Sequence, residues 1–139
     1  MQQSTHQITV STRGRKLYDI TPELIAWVQR SGLQTGLITL YIQHTSASLL
    51  INENYDDDVL VDMESFFSRL VPDGDPLFIH TIEGPDDMPA HVRAALTQTH
   101  LSIPLIDGRA ALGQWQGVFL YEHRHVASKR SVILHMIGE

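Results

Sequence analysis

A chain of 139 residues with a net charge of −6 and a pI near 5.7 is long enough for one domain with a real core, and no linker-like stretch divides it. The acidic balance excludes a sequence-independent grip on nucleic acid, which needs a basic footprint, and the lack of cysteine excludes disulfides, thiolate nucleophiles and cysteine zinc sites. The N-terminus has no basic region followed by an apolar stretch, and no run approaches the roughly 20 apolar residues that span a bilayer, so a soluble, cytoplasmic protein without membrane partners is expected.

Residues 5–12 alternate polar and apolar side chains through Ile8 and Val10, the period of a half-buried strand. Residues 13–16 read as a turn and Leu17 to Ile20 as a second strand. Thr21-Pro22-Glu23 opens a helix, with Thr21 as capping hydroxyl and Leu24, Ile25 and Val28 as its buried stripe, closed by Gly32. A strand from Leu37 to Gln43 runs into His44-Thr45-Ser46-Ala47-Ser48. If the face shared by Leu40, Ile42 and His44 is the core side, His44 enters a pocket; otherwise these hydroxyls simply satisfy turn backbone groups.

Leu49 to Ile51 resumes an extended run, followed by Glu53, either a buried carboxylate or a loop acid. Asp56, Asp57 and Asp58 then precede an amphipathic helix with apolar residues at Val59, Met63, Phe66, Phe67 and Leu70. The spaced ligands and glycine of a calcium loop are missing, so the three acids are expected to cap the helix and face its positive end. Pro72 to Pro76 is a loop, and Leu77 to Ile82 is expected to be a strand that carries His80 toward the next turn.

The stretch Glu83 to Arg93 concentrates the chemistry. Gly84-Pro85 marks a turn, Asp86 or Asp87 can cap the next helix, and Pro89 fits its first turn. Asp87 and His91, four apart, share a helical face, and His80 can complete a three-ligand set for a divalent metal with a position open for substrate. The plainer alternative is a capping aspartate beside two ordinary histidines. The helix is expected over Met88 to Gln98, followed by strands over Leu101 to Ile106 and Arg109 to Leu112.

Trp115 to His125 starts apolar on both faces and ends charged, as a doubly covered strand emerging into a site does. By the period of two, Glu122 and Arg124 point one way and His123 and His125 the other. Glu122 with Arg124 offers a proton-transfer group beside a phosphate-binding cation, or else a structural salt bridge. His123 and His125 are spaced as a strand metal pair but read better as edge or loop residues. Lys129 and Arg130, before a last strand over Ser131 to Ile137, add positive charge for an anionic ligand or form a solvated turn.

Several of these motifs together resemble the YjbQ-like uncharacterised protein family, also called the secondary thiamine-phosphate synthase family. The resemblance rests on residues 44–48, Asn52-Glu53-Asn54, Glu83 to His91, Trp115-Gln116-Gly117 and Glu122-His123-Arg124, and covers nearly the whole chain. Gln114, where the signature has threonine, and His100, near its first serine, depart from it. The resemblance implies an α+β fold with a β-sandwich-like core, a homotrimer with sites near subunit boundaries, and a pocket containing His44, His80, Asp87, His91 and Glu122. It also implies a weak thiamine-phosphate synthase activity.

The leading expectation is therefore a metal-dependent enzyme for a phosphorylated small molecule. A divalent ion such as zinc or manganese is expected on His80, Asp87 and His91, phosphate on Ser46, Arg124 and Arg130, and proton transfer at His44 or Glu122. A metal-dependent hydrolase or lyase and a non-catalytic metal or anion-binding protein are the alternatives.

Overall fold

The computed structural model describes residues 1–139. In chain order the elements are β1 (Gln2–Arg13), β2 (Lys16–Asp19), α1 (Thr21–Ser31), β3 (Gly36–Ile42), β4 (Ala47–Glu53), α2 (Asp57–Leu70), α3 (Asp87–Leu96), β5 (His100–Ile106), β6 (Arg109–Ala110), β7 (Gln116–Glu122) and β8 (Ala127–Gly138). They form an α+β domain with two antiparallel sheets, ordered β1-β8-β3-β5-β6 and β2-β7-β4. No helix is long and apolar enough to cross a membrane.

Alternation within the strands builds the core. Ile38, Leu40 and Ile42 of β3, Leu101, Ile103 and Leu105 of β5, and Val132, Leu134 and Met136 of β8 turn to one side of the larger sheet. There they meet Leu24, Trp27 and Val28 of α1 and Leu49, Val118 and Leu120 of the smaller sheet in one cluster of 19 buried residues. The other face of β7 buries Phe119 and Tyr121 with Leu17 and Phe67, the latter from α2. β7 is thus covered on both sides, as its two apolar faces predict.

Several expectations are corrected by packing. Leu77 to Ile82 is a loop, not a strand: Leu77, Ile79 and Ile82 are 79, 97 and 92% exposed, with no neighbouring strand to pair with. Ile25 is exposed, and Trp27 takes its place in the buried stripe of α1. Thr21 does not cap α1. Its backbone N–H donates to Asp19 Oδ1, while its hydroxyl donates to the Val118 carbonyl and accepts the Val118 N–H, tying the helix to β7. The regular strand after Gly108 is only Arg109–Ala110. β1 and β8 are longer than their apolar patterns suggest, because ladder bonds between Gln2 and Gly138 need no apolar side chains. Asp56 does cap α2, accepting the Asp58 N–H at 2.9 Å.

Candidate functional site

The ends of β3, β4, β7 and β8 come together beside α3 and the loop that precedes it. Gly84, at φ 106°, takes the left-handed turn that feeds α3. Asp86 occupies the N-cap position, yet neither it nor Asp87 caps the helix through its side chain. The Asp86 carboxylate is spent across the turn, accepting the His125 N–H at 2.9 Å and Arg124 Nε at 3.2 Å. Burial alone would raise its pKa, but these bonds and the Arg124 charge outweigh it and hold the carboxyl below the usual range.

Asp87 is 2% exposed and carries the centre of the site. Its Oδ2 lies 2.8 Å from His80 Nε2 and 3.1 Å from His91 Nε2, and its Oδ1 lies 2.9 Å from Arg124 Nη1. Here too burial pushes the carboxyl up, and the His80 hydrogen bond, Arg124 and His91 pull it below its ordinary value. One ligand atom from each of His80, Asp87 and His91 lies within 4.8 Å of the others, whereas a tetrahedral zinc site separates its ligands by roughly 3.3 Å. Small side-chain adjustments therefore admit an ion. The two imidazoles remain about a third exposed, so a further position faces solvent.

His91 gives the more telling detail. Its Nδ1 lies 3.1 Å from the Thr45 carbonyl, which can only accept, so Nδ1 carries the proton. The neutral ring then points a lone pair from Nε2 at an oxygen of Asp87. That contact is favourable only with a cation between the two atoms, either a second proton on the ring or a metal ion. A backbone carbonyl behind a ligating imidazole is also the usual orienting partner in metal sites.

A second polar cluster flanks the triad. Arg130 donates from Nε and Nη2 to the two oxygens of Glu122, at 2.7 and 2.9 Å, and from Nη2 to Ser46 Oγ at 2.9 Å. Glu122 is fully buried. His44 Nε2 accepts the Ser131 N–H at 2.8 Å, and burial, then the Arg130 charge, pull its imidazole below the ordinary range. His44, Thr45, Ser46, His91 and Arg130 line one cleft of about 830 Å³.

The structure therefore brings His80, Asp87 and His91 together, and places His44, Ser46, Glu122 and Arg130 beside them. Arg124 shares no partner with Arg130: its guanidinium is committed to Asp86, Asp87 and the Glu83 carbonyl. Glu122 and Arg124 do not form a pair. His123 and His125 do lie in the connection between β7 and β8, but His123 is fully buried there, whereas exposed His125 bonds Asp73.

His123 belongs to a network not evident from the motifs. Arg93, fully buried on α3, donates from Nε to His123 Nδ1 at 3.1 Å and pairs with Glu64. His123 Nε2 donates to Ser48 Oγ at 2.8 Å, Ser48 lies 2.6 Å from Thr97 Oγ1, and Tyr121 donates to Glu64. Burial, followed by Arg93, Arg15 and Arg130, depresses His123 to about 2. Burial is also the main cause that raises the Tyr121 phenol. The one sequence signal for this network is helical spacing: Arg93 falls on the same α3 face as Pro89 and Ala90.

The profile of the family described as UPF0047 protein YjbQ-like matches residues 6–139. A UPF0047 protein of Synechocystis is 50% identical over 132 residues, covering 95% of this chain and 90% of its own. The UPF0047 protein YjbQ of Escherichia coli O157:H7 is 41% identical over 133 residues, covering 95% and 96%. Among solved structures, a YjbQ/UPF0047 family protein from Clostridium acetobutylicum superposes with a TM-score of 0.87 at 28% identity, covering 95% of this chain and 99% of its own. With the profile, the relatives and the fold in agreement, the chain belongs to the YjbQ-like UPF0047 family.

Proposed function

We propose that this protein is a metal-dependent enzyme acting on a phosphorylated small molecule. The observation that carries the reading is the arrangement around His91, whose Nδ1 proton is fixed at Thr45 and whose Nε2 meets Asp87 where a cation, a second proton or a metal ion, sits. His80, Asp87 and His91 would hold a divalent ion such as zinc or manganese, given nitrogen and carboxylate donors. Such an ion supplies charge neutralisation for a departing phosphate oxygen.

The remaining work falls to the protein's own groups. Arg124 fixes Asp87 through Oδ1, leaving Oδ2 toward the histidines. Glu122 holds Arg130 from behind, so its part in this reading is to orient that cation, while Arg130 and Ser46 face a phosphate by hydrogen bonds. His44, kept neutral, serves as a donor at the cleft wall. The family resemblance favours, within this class, the joining of hydroxymethylpyrimidine diphosphate to a thiazole phosphate with release of pyrophosphate. We also infer a homotrimer: Leu37, Tyr41 and Ile106 are 42, 51 and 54% exposed on the outer face of the larger sheet. Tyr41 also lines the cleft, so a second copy packed there would border the site.

The test is a panel of phosphorylated compounds incubated with tag-free protein, with and without zinc or manganese. Release of phosphate or pyrophosphate should require metal and be lost in His91→Ala and Arg124→Ala. Unchanged turnover in both variants would overturn the reading. Saturable binding with no turnover anywhere in the panel would make the protein a binding module instead.

A further inference from the structure

We propose that His44, Ser46 and Arg130 form a metal-independent clamp for an oxyanion, gripping the non-reacting anionic group of a small molecule in the cleft. Its role in turnover rests on the reading above, but the binding itself does not.

Around Arg130 the cleft has more donors than acceptors. The Ser131 N–H donates to His44 Nε2, so that nitrogen is unprotonated and the neutral ring carries its proton on Nδ1. Nδ1 lies 3.4 Å from Arg130 Nη1, which is also a donor, so neither group satisfies the other. The Arg130 side chain is only 8% exposed; its Nε and Nη2 are used by Glu122 and Ser46, and Nη1 has no acceptor in the chain. The Ser46 hydroxyl accepts from Arg130 and keeps its own hydrogen free.

Three donors thus converge on one cleft with no acceptor among them. On the nearly buried Arg130 side chain an unmatched donor is costly, His44 and Ser46 open their donors to the cleft, and the group that matches all three is an oxyanion. Glu122 balances the Arg130 charge from the far side, so the grip depends on hydrogen bonds more than on net charge. Thr45, between two clamp residues in sequence, supplies the carbonyl that orients His91. A ligand held by the clamp is therefore presented to the triad.

The experiment is calorimetric titration of inorganic phosphate, and separately acetate, into tag-free protein stripped by chelator. Saturable binding is expected in the millimolar range. His44→Phe, which leaves the Arg130–Glu122 pair intact, and Arg130→Lys, with its fold checked by circular dichroism, should each weaken it roughly tenfold, the scale of one charge-assisted hydrogen bond. His91→Ala should leave it unchanged. Acetate binding as tightly, with the same dependence on the variants, identifies a carboxylate as a sufficient ligand; a preference for phosphate identifies the phosphate group.

Absence of binding, or equal binding by wild type, His44→Phe and Arg130→Lys, overturns the clamp. Phosphate binding that needs added metal and disappears in His91→Ala also overturns it, while sparing the metal reading. Clamp-dependent binding by a protein that takes up no metal does the reverse.

Discussion

His123 makes the buried network testable through pH. In the folded protein it is neutral down to about 2, while in the unfolded chain it protonates near the ordinary value of 6.5. Between those limits the unfolded state binds one more proton, so acid favours unfolding and stability falls as pH falls. The slope for one such group is about 1.4 kcal/mol per pH unit, giving about 2 kcal/mol of loss between pH 6.5 and 5. With a urea dependence of about 2 kcal/mol/M, the midpoint should drop by about 1 M.

The perturbation is His123→Gln, whose amide can still meet Ser48 but does not titrate. The variant starts less stable, so the readout is the slope between pH 7 and 5. His44 is also held below its ordinary value and contributes a slope of the same sign to both proteins. The variant's slope should therefore be shallower than wild type by nearly one proton. Equal slopes would refute the claim that His123 is buried as the neutral ring.

Arg93→Met should cost about 3 kcal/mol, the low end for breaking a buried ion pair, because Glu64 keeps donors from Tyr121 and Ser68 and is a quarter exposed. Thermal melting should register roughly 10 °C of loss; no shift would contradict the packing described. Glu64, Asp73, Asp86 and Asp87 all have pKa values held below the ordinary range despite burial. Their contribution is present above the unfolded values of 4.5 and 3.8 and is lost as pH falls through the folded ones. Acid titration of Asp86→Asn, followed by circular dichroism, should show less of that loss. At Gly36 an added Cβ would overlap the Ile137 carbonyl across the β3–β8 pair, so Gly36→Ala should cost about 1–3 kcal/mol. Urea unfolding of that variant measures it, and wild-type stability would refute the close approach.

The fold was legible where periodicity was strong. β3, β5 and the doubly covered β7 follow directly from their apolar patterns. The loop holding His80 was not, because Leu77-Phe78-Ile79 has strand-like composition but no pairing partner, and pairing is a tertiary fact. Of the site, Asp87 and His91 could be placed by helical spacing alone. The period of two put Glu122 and Arg124 on one face, but β7 ends at Glu122, after which the backbone turns and each finds its own partner. The loop position of His123 was legible but its burial was not, because that depends on Arg93 and Ser48, distant in sequence, reaching it from either side. The Arg130–Glu122 pair joins β8 to β7 across a turn, and nothing in the spacing distinguishes it from a solvated pair.

The central claim is that His80, Asp87 and His91 hold a metal ion. Elemental analysis of tag-free wild type beside His91→Ala, each incubated with zinc or manganese and then desalted, tests it most directly. The account predicts nearly one ion per chain in the wild type and a large drop in the variant. Metal absent from both would contradict it, leaving Asp87 as a partner of two histidines and an arginine and nothing more.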